Sequence, residues 1–329
     1  MANGTIIDRT FVSDLRNRLS SLDIDQIKKE IEERMRGRTI RVPQIPAGAF
    51  VYRARKLEGS FSSTKGIGVE HLSYPPASIC PAGRLNRKGF PLFYAATSKS
   101  PLLFELGAQP GEQFVFSIWE MQISPIISCL GHTHSVYTSL GSEREAPTWL
   151  SSRPVEKVAT SNDFLAEDIL SELFSEKIIL NEQDKYKLTA AIAELHYELL
   201  EGGDKKFAGV IYPSVAMCAN GDNIALLPWF VDAHLQWKKA IHIKVDSTDG
   251  KLFSITELDT ARDLDSSKIL QWAGHPGFQV PPGISSGHCV FTEGRDELGD
   301  YIYGKDNVVG HWVFVDEKTG RQFVGVDPA

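Results

Sequence analysis

The sequence GRLNRKGFPLFYAATSKSPLLFE (residues 83–105) combines a turn, a strand and the start of a helix in one uninterrupted stretch. Gly83 allows the backbone to bend tightly, and the alternating side chains of FPLFYAAT are typical of a strand. Ser100 and Pro101 favour an N-cap and a first helical position, so a helix is predicted from there. The turn, the strand and the helix of this unit carry an arginine, a tyrosine and a glutamate, respectively.

Each of these three side chains has a structural and a functional interpretation. Arg84 is either a surface arginine or a bidentate binder of phosphate. Tyr94 shares a strand face with Leu92 and Ala96, where it is either a core tyrosine or a ring that stacks on a heterocycle while its hydroxyl stays wet. Glu105 lies about one turn into the helix among apolar neighbours, and a carboxylate buried there needs a partner, in a salt bridge or a site.

Two further segments deliver polar side chains from strands. Ser214 ends the strand FAGVIYPS after Pro213, so its hydroxyl faces whatever lies beyond the strand, although serine after proline is also a common turn residue. The strand GAFVYRAR carries Tyr52 and Arg53, of which the arginine is a second cation.

Composition limits the class of protein. The 329 residues, 42% of them hydrophobic and 23% charged, predict an ordinary globular protein of one large domain with additions, or of two domains. The net charge of −7 argues against broad nucleic-acid binding. The four cysteines form no short-spaced pair, and neither a signal peptide nor a membrane-length apolar run is present, which predicts reduced thiols in a cytoplasmic protein.

A metal site and the common nucleotide motifs are not predicted. The segment CLGHTH supplies Cys129, His132 and His134, but a zinc site needs a fourth ligand. The glycine-containing pieces KGIGVE and LEGGDKK lack the Walker pattern and the Rossmann context, and no G-x-S-x-G is present.

The chain divides into three parts by pattern. Residues 1–45 form an N-terminal segment with two predicted helices, separated near Asp23 and Asp25. Residues 46–245 contain most strand candidates, with helices predicted over about 155–202, which favours an α+β fold. Residues 246–329 predict a small β-rich extension, including strand-like YIYG and a hairpin that turns at Glu317–Gly320.

Taken together, the polar segments resemble the RES domain family, which is named for an Arg, a Glu and a Ser. The matching segments are VYRAR (51–55), GRLN (83–86), FYAATSKSPLLFE (93–105) and GVIYPSVAMCANGDNIAL (209–226). The three naming positions hold Arg84, Glu105 and Ser214. The other pocket positions hold Tyr52, Arg53 and Tyr94. A tryptophan commonly follows the family arginine, whereas Leu85 stands there in this chain.

The resemblance implies a fold similar to ADP-ribosyltransferases, with a mixed β core and inserted helices, over residues 46–245. It implies an NAD-consuming toxin held in check by an Xre-like helix-turn-helix antitoxin, with NAD as substrate and without a metal; a homodimer is a further possibility. Glu105 would stabilise the ribosyl cation, Arg84 and Arg53 would neutralise the diphosphate, Tyr94 would stack on nicotinamide, and Ser214 would orient the ribose or the carboxamide.

The acceptor of the ribosyl group stays open at this stage. Water or phosphate would make the protein an NAD glycohydrolase or phosphorylase, and a protein acceptor would make it an ADP-ribosyltransferase. Arginine-directed transferases tend to carry a second acid two residues before the catalytic glutamate, a position that Leu103 occupies here. A non-catalytic NAD-binding module is the third alternative.

Overall fold

The computed structural model describes residues 7–35, 42–43, 45–142, 161–176, 185–198, 207–250 and 252–274, together with the backbone of three later strands. The α-helices in these ranges are α1 (Arg9–Arg18), α2 (Ile24–Met35), α3 (Ser100–Glu105), α4 (His134–Leu140), α5 (Ser161–Ser175), α6 (Lys185–Glu198) and α7 (Pro228–His234). Within the described part of the chain, no helix is both long and apolar enough to span a membrane.

Twelve strands are described. Those before residue 230 are β1 (Phe50–Lys56), β2 (Phe93–Ala96), β3 (Gln113–Met121), β4 (Ile127–Cys129), β5 (Gly209–Pro213) and β6 (Asp222–Leu226). Those after it are β7 (Leu235–Thr248), β8 (Leu252–Leu264), β9 (Leu270–Trp272), β10 (His288–Thr292), β11 (His311–Val315) and β12 (Gln322–Val326).

All twelve strands belong to one sheet, in the order β12-β11-β10-β8-β7-β3-β1-β2-β6-β5-β4, with β9 paired to β8. Neighbouring strands run antiparallel except β4 and β5, which are parallel. The prediction of an α+β protein with a mixed β core is therefore confirmed at the level of fold class.

The register of the sheet assigns side chains to two faces. Tyr52 lies opposite Ala96, Ala96 opposite Asn223, and Asn223 opposite Tyr212, so these four residues form one row on one face. We call it the helical face, because α1, α2, α5 and α6 pack there in one hydrophobic cluster with Tyr94 and Tyr212. The other side, which carries Arg53 and Phe93, is the reverse face.

The two predicted N-terminal helices are confirmed as α1 and α2. Asp8 caps α1 by accepting a 2.7 Å hydrogen bond from the backbone N–H of Phe11. Asp23 lies at the break and accepts a 2.8 Å bond from the N–H of Gln26 at the start of α2. Leu15 and Ile27 are fully buried in the same cluster as the helical face, so α1 and α2 share the core of the strands that follow.

Residue 245, predicted as the end of the central domain, falls inside β7. The reason is that the apolar alternation of Ile241, Ile243 and Val245 continues a strand that pairs with β8 as far as Thr248. In the extension, β11 and β12 pair antiparallel as predicted for the hairpin. Its turn at Glu317–Gly320 and the segment YIYG lie outside the described residues.

Candidate active site

The carboxylate of Glu105 is fixed through one oxygen. Glu105 is the last residue of α3 and is exposed, and its Oε1 accepts a hydrogen bond from Ser214 Oγ and another from Asn223 Nδ2, each 2.6 Å long. No described residue donates to Oε2. The burial expected for Glu105 is therefore wrong, because the helix ends at this residue and places it at the surface.

The helix that carries Glu105 begins one residue earlier than predicted. Ser100 is its first residue and Lys99 holds the N-cap position, so Ser100 is not the cap. Leu102 and Leu103 bury the other side of the helix in a cluster with Tyr52 and Phe116. This packing holds the short helix against the sheet and sets the position at which Glu105 reaches the surface.

Ser214 holds Glu105 in place. Its hydroxyl donates to Glu105 Oε1 and accepts a 3.2 Å bond from the backbone N–H of Met217, and the residue is fully buried. The turn between β5 and β6 keeps it there, with left-handed φ values of 52° at Cys218 and 61° at Ala219. Since both contacts of the hydroxyl are within the protein, the geometry makes Ser214 a positioning residue for the carboxylate.

Asn223 is the site residue that sequence analysis missed. It lies on β6, is 5% exposed, and donates to the same oxygen of Glu105 as Ser214 does. The signal was present in DNIAL, where alternation places Asn223 and Ala225 on one face of a strand whose residues are all buried. A buried amide needs a hydrogen-bond partner, and here that partner is the carboxylate.

Tyr94 is locked into the turn that precedes it. Its hydroxyl donates a 2.7 Å hydrogen bond to Asn86 Oδ1 and accepts a 3.1 Å hydrogen bond from the N–H of Leu85. The hydroxyl is therefore bound within the protein, whereas the functional interpretation assumed that it faces water. Burial raises the pKa of this hydroxyl. The close approach also explains Gly83, because a Cβ there would lie 2.7 Å from Asn86 Oδ1 and 3.1 Å from the Tyr94 hydroxyl.

Arg84 is engaged with the end of a helix. Its Nη1 donates to the carbonyl of Phe174 and its Nη2 donates over 3.0 Å to the carbonyl of Glu176, at the C-terminus of α5. A cation at this position satisfies carbonyls without an intrahelical partner and complements the helix dipole. A guanidinium has five N–H donors, so these two contacts leave others for a ligand.

Tyr212 is a buried residue of β5 that sequence analysis did not select. Burial raises the pKa of its hydroxyl, Tyr94 and the negative charge of Glu105 raise it further, and the positive charge of Arg84 lowers it. These influences place Arg84, Tyr94 and Glu105 within electrostatic range of one buried hydroxyl. Arg84, Tyr94 and Glu105 thus all act on Tyr212, and Ser214 joins them through its hydrogen bond to Glu105.

Tyr52 and Arg53 are not part of this arrangement. Tyr52 is 3% exposed and packs in the core beneath α3, which leaves its ring inaccessible to a ligand. Arg53 leaves β1 on the reverse face and donates from Nη1 to the carbonyl of Tyr94. β1 and β2 share a single register pair, Tyr52 with Ala96, and the bond of Arg53 is a further contact between the two strands. The structure therefore does not bring Arg53 together with Glu105.

The residues of CLGHTH occupy separate positions. His132 is buried with Nδ1 2.7 Å from the hydroxyl of Tyr137, and His134 is the exposed first residue of α4. Among the residues that the structure describes, no three histidine, cysteine, aspartate or glutamate side chains are grouped as metal ligands.

Searches of protein-family models, of curated proteins and of solved structures found no match to this chain. The functional assignment consequently depends on the chemistry of the site. Its central feature is a carboxylate with one oxygen fixed by two neutral donors, beside an arginine and two tyrosines.

Proposed function

We propose that the chain consumes NAD by cleaving the bond between nicotinamide and ribose, as a glycohydrolase or a phosphorylase. The observation that carries this proposal is the exposed carboxylate of Glu105, held through Oε1 by Ser214 and Asn223. The RES-like order of Arg84, Tyr94, Glu105 and Ser214 along the sequence supports it.

The reaction needs a fixed negative charge. When the N-glycosidic bond breaks, its electron pair stays with the nicotinamide nitrogen, which becomes neutral, and positive charge develops on the ribose. A carboxylate that is already oriented stabilises that charge without reorganisation during the reaction. Glu105 is suited to this role because two donors fix one oxygen while the residue stays exposed.

Binding of the rest of NAD is assigned to the groups beside the carboxylate. The N–H groups of Arg84 that are not used on α5 would neutralise the diphosphate, because guanidinium groups bind phosphate well. The ring of Tyr94, whose hydroxyl is held by Leu85 and Asn86, would stack on nicotinamide in a fixed position. Neither Tyr52 nor Arg53 contributes to binding in this proposal.

Water or phosphate is the acceptor that we propose. A protein ADP-ribosyltransferase with a second acid two residues before the glutamate is disfavoured, because Leu103 occupies that position and is fully buried in the core. In the cell, we propose a cytoplasmic toxin of a toxin–antitoxin or defence system, with a helix-turn-helix antitoxin as its partner. This biological role rests on the family resemblance.

Product analysis tests the proposal. Purified protein is incubated with adenine-labelled NAD, with and without inorganic phosphate, and the products are separated. Release of nicotinamide with all label in small molecules is expected, as ADP-ribose in water or as its phosphorylated form with phosphate. Label on a protein band would favour the transferase. Binding of NAD without release by correctly folded protein would favour the non-catalytic module.

A further inference from the structure

A cavity of about 570 Å³ lies between α2, α6 and the segment that leads from β6 into α7. This volume is within the range of small-molecule sites, about 300–1,000 Å³. We call it the α2–α6 cavity. It lies apart from Glu105, because Leu227, which lines it, follows the Glu105 partner Asn223 by four residues, about 13 Å of extended chain.

Exposed aromatic rings line the α2–α6 cavity. Trp229, in the first turn of α7, is 41% exposed, and Phe90, in the loop before β2, is 37% exposed. The Phe90 ring stacks on that of Tyr197, with centres 6.4 Å apart and planes at 20°. Tyr197 is itself held by a 3.4 Å hydrogen bond from its hydroxyl to the carbonyl of Leu85. The cavity therefore offers a ligand both apolar area and aromatic ring faces.

The positive and negative charges of the cavity lining are unequal. One guanidinium, that of Arg87, donates to two carboxylates, over 2.6 Å from Nε to Glu194 Oε1 and over 2.7 Å from Nη2 to Asp25 Oδ1. The ammonium of Lys28 pairs with Glu198. The hydrogen bond from Arg87 lowers the pKa of Asp25, which is ionised at neutral pH. Three carboxylates therefore accompany two cations, and the lining carries a formal charge of −1.

Part of this excess negative charge is buried. Glu194 is only 6% exposed, and it shares its single cation, Arg87, with Asp25. A buried charge without full compensation is unfavourable, because it has lost most of its hydration. A further cation in the cavity would supply the missing compensation.

The lining favours an organic cation over other ligands. An anion would be repelled by the excess negative charge. A metal ion needs several free oxygen ligands, whereas both oxygens of Asp25 and both oxygens of Glu194 already accept hydrogen bonds from Arg87. Aromatic ring faces attract ammonium groups that lie within about 6 Å of the ring centre.

We propose that the α2–α6 cavity binds a small organic ammonium ion, with its charged group towards the carboxylates and its apolar body against Trp229 and Phe90. The excess carboxylate charge and the exposed rings supply the two kinds of contact that such a ligand needs. The site does not depend on the proposed cleavage of NAD, since its lining residues differ from Glu105 and its hydrogen-bond partners.

The test titrates the full chain with benzyltrimethylammonium at constant ionic strength and follows the indole N–H resonances of the tryptophans by ¹H–¹⁵N NMR. The spectrum of Trp229→Ala identifies the Trp229 resonance by its absence. We expect this resonance to shift saturably in the wild type. Calorimetry should show that Trp229→Ala binds the probe about tenfold more weakly, through loss of a cation–π contact.

A matched pair of variants tests the role of charge. Asp25→Asn removes the excess negative charge and keeps the size of the side chain, so the affinity for benzyltrimethylammonium should again fall about tenfold. Glu58→Gln removes an equal charge at an exposed position outside the cavity and should bind like the wild type. Benzyl alcohol, which is neutral, and phenylacetate, which is an anion, should bind more weakly than the cation.

The contrary outcomes are distinct. No saturable shift of the Trp229 resonance up to about 10 mM benzyltrimethylammonium would overturn the site. Equal affinity for benzyl alcohol or phenylacetate, or equal affinity of Asp25→Asn and Glu58→Gln, would overturn the assignment to a cation. Should Trp229→Ala not fold, Trp229→Phe identifies the resonance, and the three probes and the matched pair still decide.

Discussion

Asn223 donates a 2.6 Å hydrogen bond to the Oε1 atom of Glu105, although the two residues are 118 positions apart in the sequence. Ser214 donates to the same oxygen, so one end of the carboxylate is held by a strand and by the turn that precedes it. This relationship makes the orientation of Glu105 a property of the sheet rather than of α3 alone. The proposed chemistry depends on it.

Removal of the donors to Glu105 should lower turnover. Each is a hydrogen bond to a charged group, worth about 1.5–3 kcal/mol, so Asn223→Ala should lower kcat by about 10–100-fold with a smaller change in KM. Because Ser214 and Asn223 share one oxygen, the effects of Ser214→Ala and Asn223→Ala should not add. Steady-state kinetics on both single variants and on the double variant measure whether the two losses of kcat add.

The conservative variant Asn223→Asp is the matched control. It keeps the size of the side chain but places a second carboxylate against Glu105, so its kcat should fall at least as far as that of Asn223→Ala. If Asn223→Ala and Asn223→Asp fold with lower stability but keep the wild-type kcat, Asn223 has only a structural role.

Arg84→Ala should reduce stability as well as NAD binding. The variant loses two hydrogen bonds to carbonyls at the end of α5, so the free energy of unfolding should fall by about 1.5–3 kcal/mol. Arg84→Lys, which retains the charge, should recover part of this loss. Urea denaturation of the wild type, Arg84→Ala and Arg84→Lys measures the three free energies of unfolding. Unchanged stability in Arg84→Ala would contradict the contacts of Arg84 with α5.

The sequence predicted the parts of the site that are local in the chain. Ser100 and Pro101 placed the start of α3 within one residue, and the predicted strand FPLFYAAT contains β2, because caps and alternation are local signals. It could not predict that Arg84 binds the end of α5, a contact across 90 positions. The bond of Arg53 to the carbonyl of Tyr94, across 41 positions, likewise depends on the pairing of distant strands.

His196 should make the fold less stable in acid. His196 of α6 is buried with Nδ1 2.6 Å from Ser128 Oγ, and burial lowers its pKa to about 4. Between this value and the ordinary pKa of about 6.5, the unfolded chain binds a proton that the folded chain does not, so stability falls as the pH is lowered through this window. Once the pH is below both pKa values, His196 has lowered the free energy of unfolding by about 3 kcal/mol.

Denaturant unfolding at pH 7, 6, 5 and 4 measures this effect. His196→Gln should be less stable than the wild type at pH 7 but should lose less stability on acidification. His134→Gln, at an exposed histidine, is the control and should retain the wild-type slope. An identical slope in the wild type and His196→Gln would contradict the burial of a neutral His196.

Truncation tests where the folded unit ends. Removal of all residues after 245 deletes β8, which pairs with β7 along most of its length, and should give poorly soluble protein with an uncovered strand edge. A chain that ends at residue 274 retains β8 and β9 and is the comparison. A soluble, cooperatively unfolding protein truncated after 245 would contradict the continuous sheet.

Our principal proposal is that Glu105 stabilises positive charge on the ribose of NAD. Its most direct test is the single-turnover rate of nicotinamide release by the wild type and by Glu105→Gln, with NAD affinity measured by calorimetry. The wild type should release nicotinamide, and Glu105→Gln should be slower by about 10²–10³-fold at nearly unchanged NAD affinity. Equal rates in the two proteins, or no release by folded wild-type protein at high concentration, would contradict the claim.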